Sequence, residues 1–396
     1  MKRLERKLLI TRMEQKILTA VSENGKITEL RLDNPEQESI LGNIYIGKVK
    51  KIVKNIRAAF IEIMPECACY YSIEDNKAPV FTNKMNSRNL VAGDELLVQV
   101  SRESNKTKPP TVTGDLNFTG KYVVLTTGKC RIGVSGKLNP EEKKYFRELM
   151  TPYQNESYGF IVRTNAREAE KSEIISETEY LVRQYQDVIQ KSKFRTCFSL
   201  LSRQASAYIS ALRDTYADGL SRIITDDAIL YGQIEEYLST HQLNDLDKLS
   251  LYEDTLLPMT KLYRLEHVLK DALKERVWLK SGAYLVIQPT EALTVIDVNT
   301  GKYEGRKRQQ DTFLKINLEA AREIAYQLRL RNISGIIVVD FINMESVEYK
   351  DTLLMELDDY LRKDPLKTTL IGMTPLNLVE ITRKNVRKPL REQMWL

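Results

Sequence analysis

Two acidic residues stand where apolar runs stop: Asp297 follows Leu293-Thr-Val-Ile, and Asp340 follows Ile336-Ile-Val-Val. An acid that terminates a buried strand sits at the end of a sheet, where a pocket can open. Asn299 comes two residues after Asp297, so on an extended strand both side chains face the same way, about 6.6 Å apart along the chain. Carboxylates converging from two strands are the usual anchors of a magnesium ion, which keeps several waters and takes its remaining ligands from substrate phosphates. Such an ion would activate a water and neutralise charge developing on a scissile phosphate. An amide at Asn299 could orient Asp297 or hold a phosphate oxygen. The plainer alternative is that either acid caps the loop that follows it. Basic residues Lys302, Arg306, Lys307 and Arg308 lie just downstream, and Arg383, Lys384, Arg387, Lys388 and Arg391 form a second cluster. Basic runs beside candidate site residues suit a polyanionic substrate, with Lys302 and Arg383 as phosphate contacts.

Other chemistries find little support. The cysteines Cys67, Cys69, Cys130 and Cys197 include no Cys-x-x-Cys pair and match neither a zinc site nor a disulfide framework. The histidines His241 and His267 both fall inside amphipathic helical patterns, which argues against a nucleophilic triad. Carboxylates and a metal are therefore the expected tools of catalysis. The formal charge of +6 is mild and by itself names no partner. Hydrophobic residues at 42% and charged residues at 29% supply real cores and exclude wholesale disorder. No apolar run approaches the length of a bilayer span, and the N-terminal stretch has no signal-peptide core. A cytoplasmic protein without a membrane span is expected.

The elements that must position these residues can be read along the 396 residues, a length that suits two or three domains at about 150 residues each. Strands at Lys7–Thr11, Lys16–Val21 and Ile27–Leu32 flank an Asn24-Gly25 turn and need partners later in the chain. Short strands at Ile44–Ile52, Ala58–Met64, Ala68–Ile73 and Glu95–Ser101 suggest a small barrel. Its aromatics, among them Phe60 and Tyr70, alternate with lysines as on a surface that stacks single-stranded bases; Phe60 packing inside the barrel is the equal alternative. A strand at Tyr158–Thr164 leads into a helix from Ala166 to about Lys191, with Asn165 and Glu168 resembling a capping box. Arg163 and Thr164 would then face a helix N-terminus, a natural anion site; the plainer alternative is that Arg163 pairs with a carboxylate nearby. Residues 216–280 read as α/β, with a long helix at Leu262–Glu275, and are the plausible partners of the N-terminal hairpin. From 281 onward, strands at Tyr284–Ile287, Ala292–Val298, Ile336–Asp340, Thr368–Gly372 and Leu378–Thr382 alternate with helices at Thr312–Leu330 and Val347–Arg362. Ile336–Asp340 reads as a strand buried on both faces.

The stretch Gly282-Ala-Tyr-Leu-Val-Ile-Gln-Pro-Thr-Glu-Ala-Leu-Thr-Val-Ile-Asp-Val-Asn-Thr-Gly301 resembles the catalytic signature of the RNase E/RNase G endoribonucleases. So do Asn317-Leu-Glu-Ala-Ala-Arg-Glu-Ile-Ala-Tyr-Gln-Leu-Arg-Leu-Arg-Asn332 and Gly335-Ile-Ile-Val-Val-Asp-Phe-Ile-Asn-Met344. The likeness runs from Gly42-Asn-Ile-Tyr-Ile-Gly-Lys48 through Gly159-Phe-Ile-Val-Arg-Thr164 to Glu380-Ile-Thr-Arg-Lys384 and is of the RNase G type. It implies a multidomain α/β and α+β chain in five segments. An RNase H-like domain (1–35 and 216–280) is interrupted by an OB-fold RNA-binding barrel (36–119) and a 5′-phosphate sensor (120–215), and a DNase I-like catalytic domain follows (281–396). The resemblance assigns Asp297 and Asp340 to magnesium, with manganese as substitute, and Asn299 to positioning the site. It assigns Arg163, Thr164 and Val124 to the 5′-monophosphate, and Phe60, Tyr70 and Lys108 to single-stranded RNA.

The chain departs from the family pattern in four respects. Tyr70 lies in Cys69-Tyr-Tyr-Ser72 where Phe in a Gly-Phe-Leu-Pro context is usual, Asn343 replaces an Asp, and Gly136 stands where Arg is frequent. No Cys-Pro-x-Cys pair is present, so structural zinc is not expected, and a homodimer or higher oligomer would need other contacts. The resulting expectation is a metal-dependent endoribonuclease leaving 5′-phosphate and 3′-hydroxyl ends. A non-catalytic RNA clamp is the alternative, and a phosphatase of small phosphates is a more remote one.

Overall fold

A computed structural model describes residues 4–35, 39–76, 79–84, 89–104, 108–215, 219–301 and 309–394. The chain divides into two compact units, Met1–Pro35 with Leu220–Leu396, and Glu36–Gly219. Lys302 and the basic residues Arg306, Lys307 and Arg308 lie outside the described residues.

In the first unit, strands Arg6–Met13, Lys16–Glu23 and Lys26–Asp33 form a meander. Asn24 and Gly25 both adopt left-handed φ values, 49° and 79°, the geometry a tight two-residue hairpin turn requires. Leu220–Thr225 adds in parallel to Arg6–Met13, and Leu249–Leu251 extends the sheet to five strands. The later segment thus supplies the partners the hairpin lacked. The helix expected over Leu262–Glu275 is broken: Met259–Leu262 and Leu265–Ala272 are separate, with Arg264 between them at φ 54°. One left-handed residue redirects the chain, and hydrophobic periodicity does not report it.

The same unit holds a six-stranded mixed sheet in the order Arg276–Trp278, Tyr284–Pro289, Leu293–Asn299, Gly335–Asp340, Leu378–Arg383, Thr368–Met373. Its two central strands run parallel, joined by the long helix Gln309–Leu330. Ile296, Val298, Ile337, Val339, Val379 and Ile381 pack beneath that helix and beneath Val347–Leu361. These helices cover one face only. The strand ending in Asp340 therefore alternates, with Ile337 and Val339 buried and Ile336 exposed, contrary to the expectation of burial on both faces. The short edge strand Arg276–Trp278 and the helix Leu390–Met394 were not legible as elements, each being too short to show a period.

In the second unit, strands Ile44–Val53, Ala58–Met64, Cys67–Ser72, Thr111–Thr113 and Glu95–Arg102 pair in that order, and the last closes on the first. The result is a closed five-stranded, OB-like barrel with Val49, Ile61, Ile63, Tyr71, Val98 and Val112 inside. Gly47 permits the closure, since a Cβ there would lie 2.5 Å from Ile61 Cγ2. A four-stranded sheet follows, ordered Ile132–Val134, Gly159–Val162, Val123–Thr126, Asn117–Thr119, with helices Pro140–Met150 and Lys171–Ser192. The long helix starts five residues later than expected. Thr164–Glu168 is a 3-10 turn, the capping box is Glu170 with Glu173, and Asn165 is buried, donating to the Thr215 carbonyl at 3.2 Å. Glu177 on this helix accepts the N–H groups of Lys121, Tyr122 and Val123 at 2.6, 2.7 and 2.9 Å, anchoring the neighbouring strand. Burial raises its carboxyl above the usual range while these three donors oppose that shift.

Arg383 does not present itself to a phosphate. It is only 4% exposed on the helix-covered face, and its fork is spent on Asp364, with Nε to Oδ2 at 2.7 Å and Nη2 to Oδ1 at 3.3 Å. Its Nη1 donates to Asn332 Oδ1 and to the Ile333 carbonyl. Strand parity turned this member of the basic cluster inward. Arg383→Ala would strand the buried Asp364 carboxylate, and urea denaturation should show a loss of about 3 kcal/mol or more.

Candidate active site

Asp297 and Asp340 are register partners in the central parallel strand pair. Neighbouring strands lie about 4.8 Å apart and alternate side chains between faces, so the two carboxylates stand side by side on one face. That face is the one the helices leave open, and both residues are exposed. Asn299 shares it, and its Nδ2 donates to Asp297 Oδ2 at 2.7 Å, which holds the carboxylate rotamer and leaves the other oxygen available. Among the described residues neither acid accepts a backbone N–H or pairs with a cation, so loop capping is not their role here. No group of three or more His, Cys, Asp or Glu side chains that could hold a metal exists among the described residues. Two adjacent carboxylates without a counter-ion among the described residues fit a hard divalent cation that completes its shell with water and phosphate oxygens.

The supports of this pair were not legible as site residues. Asn317, fully buried on the long helix, clamps the loop that follows Asp340: its Nδ2 donates to the Ile342 carbonyl at 2.8 Å and its Oδ1 accepts the Ile342 N–H at 3.0 Å. An asparagine among the apolar positions of a helical stripe was the available signal. Gly301 closes the turn after Asn299 at φ 62°, and a Cβ there would come within 2.3 Å of the Gly282 carbonyl oxygen. Asn343 is exposed in the loop after Asp340 and accepts from Asn377 Nδ2 at 3.3 Å, while Asn377 Oδ1 accepts from Lys350 Nζ at 2.9 Å.

In the second unit, Arg163, Thr164 and Val124 collect at one end of the four-stranded sheet. Val124 pairs with Ile161, and the Arg163 N–H extends the ladder to the Tyr122 carbonyl. Arg163 Nη1 donates to the Gly120 carbonyl at 2.6 Å and Nη2 to Asp214 Oδ1 at 3.0 Å. The guanidinium is thus oriented and paired with a carboxylate, and any phosphate must share or displace that contact. Thr164 Oγ1 lies 2.9 Å from Ser135 Oγ, and Gly136 beside them leaves open space.

On the barrel, Phe60 and Tyr70 are cross-strand partners, half-buried, with rings edge to face at a 6.3 Å centroid separation. Neither belongs to the core inside the barrel, which Ile61 and Tyr71 fill. Exposed Lys51 is the register partner of Phe60 on the other side. Lys108 is exposed two residues before Pro110, whose carbonyl accepts the Tyr70 N–H at 2.7 Å. The outward reading of Phe60 is the one the barrel adopts.

A sequence profile described as the Ribonuclease E/G family matches residues 117–386. The chain belongs to the ribonuclease E/G family. It is 33% identical to Ribonuclease G of Haemophilus influenzae over 383 residues, covering 94% of this chain and 78% of that relative. Ribonuclease G of Escherichia coli strain K12 matches at 33% over 398 residues, covering 97% of this chain and 80% of the relative. Ribonuclease E of Nostoc sp. strain PCC 7120 matches at 34% over 378 residues, covering 94% of this chain but 55% of the relative.

The Asn317 clamp can be tested through stability and amide exchange, without an activity assay. Asn317→Leu should lower the unfolding free energy by about 2 kcal/mol, because two backbone groups lose their partner. Amide exchange at Ile342 should accelerate while the central strands stay protected.

Proposed function

We propose that this chain is a magnesium-dependent endoribonuclease that cuts single-stranded RNA, is stimulated by a 5′-monophosphate end, and acts in RNA processing or decay. The observation that carries this reading is the in-register Asp297/Asp340 pair with Asn299 beside it, open and without a counter-ion among the described residues. Membership of the ribonuclease E/G family supports it. Residues 1–35 and 216–280 would form the RNase H-like part, 36–119 the OB-fold, 120–215 the sensor, and 281–396 the DNase I-like catalytic part.

In this mechanism Asp297 and Asp340, register partners on adjacent strands, would hold the cation, and Asn299 fixes the Asp297 carboxylate rotamer through its hydrogen bond. Magnesium, or manganese in its place, would neutralise charge developing on the phosphate and lower the pKa of a water. Phe60 and Tyr70 offer rings for stacking any base, with Lys51 and Lys108 for the backbone, which gives weak sequence selectivity. Arg163, held by Gly120 and Asp214, presents its remaining N–H donors to a 5′-phosphate, with Thr164 adding a hydroxyl. The described residues contain no helix long and apolar enough to cross a membrane, and we place the activity in the cytoplasm.

Asp297→Asn should cut the cleavage rate of a 5′-monophosphorylated oligonucleotide by about 10³-fold or more, through loss of several kcal/mol of transition-state stabilisation. Its RNA affinity should stay nearly unchanged. EDTA should abolish wild-type cleavage and magnesium restore it, whereas cleavage in neither condition would favour a pure RNA clamp. Arg163→Gln should lower the preference for 5′-monophosphate over 5′-hydroxyl RNA by about tenfold, and leave the rate on 5′-hydroxyl RNA alone.

A further inference from the structure

The open face of the six-stranded sheet carries a second group beside the acids. Asn299 is the register partner of Tyr284, and Tyr284 of Trp278, so the three occupy one row of that face. The adjacent row runs from Arg276 through Val286 to Asp297 and Asp340. At about 4.8 Å per strand, Arg276 lies roughly 10 Å from Asp297 across the sheet. Trp278 and Tyr284 hold their rings 5.1 Å apart at 57°, and the Arg276 guanidinium lies 4.5 Å from the Tyr284 ring centroid and 5.9 Å from that of Trp278.

Two features set this group apart from ordinary edge packing. Trp278 is 62% exposed on an edge strand, with most of its indole facing solvent. Arg276 is also exposed, and among the described residues its guanidinium makes no hydrogen bond or ion pair, so it is oriented by the rings with its donors unspent. A flat aromatic surface serves a base of any identity, and a stacked guanidinium presents a fork to phosphate.

We propose that Arg276, Trp278 and Tyr284 form a nucleotide subsite in which a base flanking the scissile phosphodiester stacks on Trp278 and Arg276 contacts a neighbouring phosphate. The occupant is the single-stranded RNA itself, and the subsite rests on the endoribonuclease reading of Asp297 and Asp340. It would hold the strand against the acids and fix which bond lies over them.

Trp395→Phe leaves Trp278 as the sole tryptophan, because the chain has 2. In an Asp297→Asn background, which keeps the RNA intact, a 5′-monophosphorylated single-stranded oligonucleotide should quench Trp278 fluorescence. An abasic residue walked along the oligonucleotide should remove the quench only next to the bond that the wild-type chain cuts. Quenching that is absent, or indifferent to every abasic position, would overturn the subsite. In the active chain, Trp278→Ala should raise KM about tenfold with kcat within about threefold, and Trp278→Phe should restore KM. An unchanged KM, or a loss confined to kcat, would count against it. Failure of the wild-type chain to cut RNA with magnesium would instead remove the reading beneath the subsite, and the cleavage control reports that separately from the quench.

Discussion

Parallel pairing between Leu293–Asn299 and Gly335–Asp340 sets two like charges side by side at the same end of a sheet. Nothing in strand pairing itself rewards that arrangement, since adjacent carboxylates repel. It persists because the residues behind the acids, Ile296, Val298, Ile337 and Val339, bury their side chains against the crossover helix Gln309–Leu330. Slipping the register by one residue would turn those apolar groups to solvent. The core therefore imposes the juxtaposition.

Around that pair the molecule places buried, hydrogen-bonded and closely packed contacts. Asn317 ties the loop after Asp340 to the helix that fixes the register, so one element sets both the spacing of the acids and the course of the chain beyond them. The close approach of Gly301 to the Gly282 carbonyl pins the turn beyond Asn299. On the covered face, Arg383 and Asp364 brace the neighbouring strand through a buried, hydrogen-bonded ion pair. The acids, the amide and the aromatic rings share the open face.

The second unit follows the same logic with different tools. Its barrel closes over a small apolar core, which forces every other strand residue outward, and Phe60, Tyr70 and Lys51 are outward residues of one cross-strand row. Its four-stranded sheet is held by Glu177, whose carboxylate collects three consecutive N–H groups and so shapes the segment that gives Arg163 its Gly120 carbonyl.

Much of this was legible in the residues alone. Apolar runs that stop at an acid marked Asp340 as a strand end and put Asp297 near one, though its strand runs on to Asn299, and the i, i+2 spacing placed Asn299 on the face of Asp297. Long periodic helices and the Asn24-Gly25 turn were equally readable, because each rests on neighbours close in sequence. Short elements and breaks were not: Arg264 splits a helix, and the helix after Arg163 waits until Lys171. Which face a charge takes was also hidden. Arg383 and Lys384 adjoin in one basic cluster, yet strand parity and a buried Asp364 internalised the first. Residue type and spacing thus defined the chemistry this chain can offer, a carboxylate pair with an amide beside it. Only the tertiary structure decided that the two acids share a row, that Asn317 clamps their loop, and that Trp278 and Tyr284 flank them, because these contacts join strands whose proximity is set by packing rather than by sequence distance.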